Sequence, residues 1–102
     1  MTEMPSRLVF NAQTKYSDHV RAPYEERLRA LAIQERALGK DHPNVAITLL
    51  ILGDACKAVG DHKTAKEFYE RSLGIREKHF AEWSGEVAEC KERIRDLRKK
   101  ET

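Results

Sequence analysis

Few side chains in this chain have the types and spacing for chemistry. They are Asp41-His42-Pro43, the histidines His19, His62 and His79, the cysteines Cys56 and Cys90, and the cations between Arg93 and Lys100. An aspartate beside a histidine is the material of a general acid–base pair. Placed before Pro43 at a predicted helix start, however, it reads as a capping turn: proline at the first helical position forfeits no hydrogen bond, and Asp41 or His42 can accept from the orphan amides. The other histidines have no second ligand one helical turn on, so no metal site is expected. Cys56 falls at a packed helical position and reads as a small core residue, as does Cys90. The five glycines are scattered rather than gathered into a phosphate loop, and no Ser or Cys nucleophile adjoins a base in a recognisable motif. No catalytic residue and no cofactor is expected, and the chain reads as a non-enzyme.

The cations Arg93, Arg95, Arg98, Lys99 and Lys100 are interleaved with Glu92, Asp96 and Glu101. That pattern is a solvated helix face whose positive end suits the helix dipole. Its functional counterpart is contact with an acidic partner such as a tubulin tail or RNA. The net charge of +2 is too small to argue for nucleic acid, which is not expected. No run approaches the roughly 18 apolar residues that cross a bilayer, so no membrane is expected either. Met1-Thr2-Glu3-Met4-Pro5 lacks the basic region and long apolar stretch of a signal peptide. Both cysteines lie inside predicted helices, and a reduced, cytoplasmic setting is expected.

The elements that position these groups are helices. With 35% charged residues and only three prolines among 102, one mostly helical domain with a modest core is expected. Five are predicted. The first runs over Pro5–Tyr16 with the stripe Leu8, Val9, Ala12 and Tyr16; Ser17-Asp18-His19 is read as a break. The second begins near Arg21–Pro23 and ends at Leu38, burying Tyr24, Leu28, Leu31, Ala32 and Leu38. The third, from Pro43 to about Val59, is apolar nearly all round, so it should be covered on more than one side. The fourth covers His62 to Phe80, and the last, Glu86 to Lys99, is mostly charged and reads as a terminal cap. Trp83 is expected to plug the connection between them. At the centre, Gly60 can take the left-handed conformation that ends one helix and Asp61 can cap the next. Gly53, Ala65 and Ser72 are small enough to let the two backbones approach.

An internal repeat organises all of this. Leu31-Ala32-Ile33-Gln34-Glu35-Arg36 recurs as Leu73-Gly74-Ile75-Arg76-Glu77-Lys78, and 73 − 31 gives an offset of 42. The same offset maps Glu25 onto Glu67, Arg29 onto Arg71, Val45-Ala46 onto Val87-Ala88 and Asp54 onto Asp96.

Leu49, Leu52-Gly53 and Cys56 in one helix, then Ala65, Tyr69 and Ser72 in the next, resemble the signature of a tetratricopeptide repeat. The 42-residue period and Leu38-Gly39-Lys40-Asp41-His42-Pro43-Asn44-Val45-Ala46 are similar to the kinesin-light-chain type. The resemblance covers Tyr24–Phe80; Arg27, Lys91 and Arg98 depart from it where bulky apolar groups are usual. It implies an all-α, right-handed solenoid fragment of about five antiparallel helices: 5–38 a degenerate first repeat, 43–80 a well-formed one, 86–100 a capping helix. It also implies a scaffold or adaptor that binds a helical or extended protein segment in a concave groove. Carried over, the groove residues are Ile47, Leu50, Ile51, Asp54 and Lys57, with Leu8, Val9 and Ala12 before them and Glu89, Glu92, Arg93 and Asp96 after. Kinesin-light-chain repeats carry paired asparagines where Leu50 and Ile51 stand. An apolar groove here would bury the stripe of an amphipathic helix instead. Since about three repeats are usually needed for stability, self-association or embedding in an assembly is expected. The alternative function is a small structural subunit that touches an acidic polymer through its last helix.

Overall fold

A computed structural model of the chain describes residues 18–80 and 84–101. Within them lie four helices and no strand: α1 (Asp18–Leu38), α2 (Pro43–Ala58), α3 (His62–His79) and α4 (Gly85–Glu101). Each packs against the next in the chain, so the all-α array expected from the repeat is the architecture observed. The helix predicted over 5–16 and the plug Trp83 fall outside the described residues.

Local chemistry sets the boundaries. The His42 side chain caps α2, its Nδ1 accepting the Asn44 amide at 3.1 Å, and Pro43 opens the helix. The Asp41-His42-Pro43 turn is thus a cap. The far end of α2 is a Schellman closure. Gly60 sits at φ +85°, its amide donates to the Lys57 carbonyl at 3.0 Å, and the Asp61 amide donates to the Cys56 carbonyl at 2.9 Å. Asp61 then starts α3 by accepting the Thr64 amide at 3.3 Å. Gly39, at φ +94°, closes α1 in the same hand.

Two expectations are corrected. Asp18-His19 is not a break, because α1 already begins at Asp18 and carries Pro23 within it. A proline there forfeits only the bond to the carbonyl four residues back, and the helix-forming run that follows holds the segment together. Leu38 is 43% exposed rather than buried, since it is the last residue before the chain turns at Gly39.

The core runs between the helices. Tyr24, Leu28 and Leu31 of α1 meet Leu49, Leu52 and Cys56 of α2, with Phe68 and Tyr69 of α3 in the same cluster. Each such Leu contributes about 1.5–3 kcal/mol on burial. Close approach of α2 and α3 depends on small residues: the Tyr69 ring lies on the backbone of Gly53, and the Ser72 hydroxyl donates to the Ala46 carbonyl at 2.8 Å. The repeat also copies a polar contact. Gln34 accepts from Thr48, and 42 residues on Arg76 reaches the Cys90 thiol at 3.7 Å. Glu35 is buried and paired with Arg71. Among the described residues no buried side-chain nitrogen or oxygen lacks a partner.

Candidate partner-binding face

The outward stripe of α2 follows helical spacing: Ile47, Ile51, Asp54 and Ala58 are all exposed. Ile47 is 49% and Ile51 38% accessible, large values for isoleucine on a helix whose other large aliphatic side chains, Val45, Leu49, Leu50 and Leu52, are buried. Leu50, expected on this face, is 4% exposed and belongs to the core. Three residues past Ile47 it is rotated by about 60° toward Ala46 and Gly53, the side that meets neighbouring helices. Leu8, Val9 and Ala12 lie outside the described residues.

Beyond Ile51 the face becomes charged. Asp54, half-buried Lys57, Glu89, Glu92, Arg93 and Asp96 line one groove between α2 and α4. Arg93 crosses it, its Nε and Nη2 donating to the two Asp54 carboxylate oxygens at 3.0 and 3.3 Å. The Tyr69 hydroxyl donates to Asp54 Oδ1 at 2.5 Å from below. Glu89 accepts from the nearly buried Arg76 at 2.8 Å and stands 3.4 Å from Arg93. Among the described residues the expected apolar hollow is two isoleucines beside an ion-pair lattice, because Glu89, Arg93 and Asp96 occupy on α4 the places of Ile47, Ile51 and Asp54 on α2.

These contacts shift the groups involved. The Asp54 carboxylate bonded to Arg93 raises its pKa. The Arg76 hydrogen bond holds Glu89 below the usual carboxylate value. Burial, and then the bond to Asp54, pushes the Tyr69 phenol up. At the opposite edge Asp41 is lowered by its bond to Lys78 at 2.9 Å, and its carbonyl meets His79 Nε2 at 2.6 Å.

The cation run divides between two faces. Arg93 is committed to Asp54 and Glu89, whereas Arg95 and Arg98 line a different groove, against Glu70, Leu73, Lys91 and Ile94 of α3 and α4. Lys99 is exposed, and nothing is described of the Lys100 side chain. Sequence reasoning missed the Tyr69 hydroxyl as a ligand of Asp54 and Arg76 as the anchor of Glu89. The offset held no signal for the pair of Arg76 and Glu89, since it sets Arg76 over Gln34 but Glu89 over Ile47. Cys56 and Cys90 are buried thiols, Cys56 donating to the Tyr24 hydroxyl at 3.7 Å and Cys90 lying 3.5 Å from the Ser72 hydroxyl. Among the described residues no three His, Cys, Asp or Glu side chains are placed to share a metal ion, and no helix is long and apolar enough to cross a membrane.

Hairpins repeated at a fixed period, a Gly pressed on an aromatic ring, and one helix of each pair facing outward define a helical-repeat scaffold. The Tetratricopeptide repeat family model matches residues 25–78, and the chain belongs to that family. Such repeats generally mediate protein–protein interaction and are typically non-catalytic. Among curated proteins, none matches the chain.

Proposed function

We propose that this chain is a non-catalytic adaptor that holds a segment of another protein along the outward stripe of α2. The single observation behind this is the exposure of Ile47 and Ile51, one turn apart, on a helix whose other large apolar side chains are buried. Ile47 and Ile51 are 49% and 38% exposed, so burying what remains of each yields only about 0.6–1.5 kcal/mol. Association costs at least about 4 kcal/mol, so the adjoining charges must add to them. The segment is helical: no asparagine pair is offered to an extended backbone, and isoleucines four apart match one stripe of an amphipathic helix. The 42-residue period and the Gly39–Ala46 turn support a kinesin-light-chain-type repeat, and the reduced cysteines a cytoplasmic setting.

Crosslinking followed by partner identification tests the reading. Ile47→Asp with Ile51→Asp should abolish the crosslinked partner while leaving the far-UV circular dichroism unchanged. A partner retained undiminished by that variant refutes the face, and sedimentation of the same variant reports whether a second copy was the partner.

A further inference from the structure

Together α3 and α4 rebuild, one repeat later, the seat that α1 and α2 present to α3. The groove between α3 and α4 is lined by Glu70, Leu73, Lys91, Ile94, Arg95 and Arg98. Subtracting 42 from each number gives Leu28, Leu31, Leu49, Leu52, Gly53 and Cys56. All six of those are buried, and α3 is what lies against them: the Tyr69 ring rests on Gly53, and Ala65, Phe68 and Tyr69 share their core cluster. A geometry that holds a helix once in this chain thus recurs, and among the described residues no helix lies in the second seat.

The chemistry of the second seat is different. Leu73 and Ile94 keep an apolar floor, but Lys91, Arg95 and Arg98 replace Leu49, Gly53 and Cys56, against the single carboxylate of Glu70. Arg95 and Arg98 are exposed, and among the described residues neither has a hydrogen-bond or ion-pair partner. A helix entering this seat must bring carboxylates to the guanidiniums and apolar groups to the floor. We propose that the α3–α4 groove docks an amphipathic helix bearing acidic residues from another protein, placed against α4 as α3 is placed against α2. This surface is separate from the α2 stripe, and the inference does not rest on that reading.

A second copy of the chain is the wrong occupant. The groove-lining face of α1 is Pro23, Glu26, Arg27 and Ala30, the 42-residue counterpart of Ala65, Phe68, Tyr69 and Ser72. Seating it on α4 would put Arg27 against Arg95, where Tyr69 meets Gly53, and like charges repel.

The test uses the full chain and two labelled peptides of the α3 sequence, His62–His79, with Ala65 and Tyr69 both replaced by Glu in one and both by Lys in the other. Fluorescence anisotropy should show the Glu peptide binding at least about tenfold more tightly than the Lys peptide, with the preference reversed on an Arg95→Glu, Arg98→Glu chain. Arg95 and Arg98 are at the surface, and circular dichroism should show the charge-reversed chain still folded. Leu73→Ala should weaken the Glu peptide as well. Absence of saturable binding by the Glu peptide, or a preference unmoved by charge reversal, overturns the proposal. So does a single-stranded RNA or a polyglutamate probe that binds the wild-type chain as tightly and ignores Leu73→Ala, since the patch would then be a polyanion surface and not a helix seat.

Discussion

Replacing Gly53 with alanine sets two opposed effects at one backbone position. In a helix interior, alanine gains up to about 1 kcal/mol over glycine from backbone entropy. Against that, a Cβ at Gly53 would lie 2.6 Å from Cδ1 and 3.1 Å from Cζ of Tyr69, well inside the roughly 3.5–4.0 Å of a favourable carbon contact. The ring has no easy escape, because Tyr69 is fully buried and its hydroxyl is bonded to Asp54. Overpacking of this kind costs about 1–3 kcal/mol and usually outweighs the propensity gain. Gly53→Ala should therefore destabilise the chain by roughly 1 kcal/mol net, lowering the Tm by about 4–8 °C. Gly74 supplies the control: it too lies within a helix, but a Cβ there meets nothing within 4 Å. Gly74→Ala should raise stability by up to about 1 kcal/mol. Thermal and urea unfolding followed by circular dichroism read both signs. A Gly53→Ala chain as stable as the wild type, or more so, would refute the claim that contact between α2 and α3 depends on the missing side chain.

Three further outcomes follow from the same contacts. Leu50→Asp should prevent stable folding, since an unpaired carboxylate would replace a core leucine, whereas Ile47→Asp should unfold within about 0.5 kcal/mol of the wild type; equal urea midpoints would contradict the division of α2 into two faces. Glu89 titrates below its ordinary value of 4.5 in the folded chain, so its bond to Arg76 stabilises fully above that pH and is lost as the pH falls through the folded value. Glu89→Gln should accordingly flatten the decline of the urea midpoint below pH 4.5, and parallel curves would show that the bond contributes nothing. Cys56 and Cys90 should react with a thiol reagent only at the rate of unfolding; an immediate reaction of either would show that its burial is not maintained in solution.

The helices and their joints were legible because what makes them is local. Gly60 and Asp61 act within a few bonds of their own position, Pro43 opens a helix by lacking a donor, and the 42-residue offset needs only the chain itself. The packing of Gly53 and Ser72 could also be read, since small residues at helical spacing have one common use. The orientation of α2 could not. That helix is apolar nearly all round, so nothing in its own sequence says that Leu50 turns inward while Ile47 and Ile51 turn out; the choice was made by α1, α3 and α4 packing around it. Nor does Arg93 announce its partner, which stands 39 residues away in sequence. The cation run looked like one patch on paper, yet Arg93 and Arg95 are about 200° apart around a helix and face different neighbours. Backbone preference acts residue by residue and is written in the chain, whereas the facing of side chains depends on which helices come to lie alongside, and that is settled only when all of them pack together.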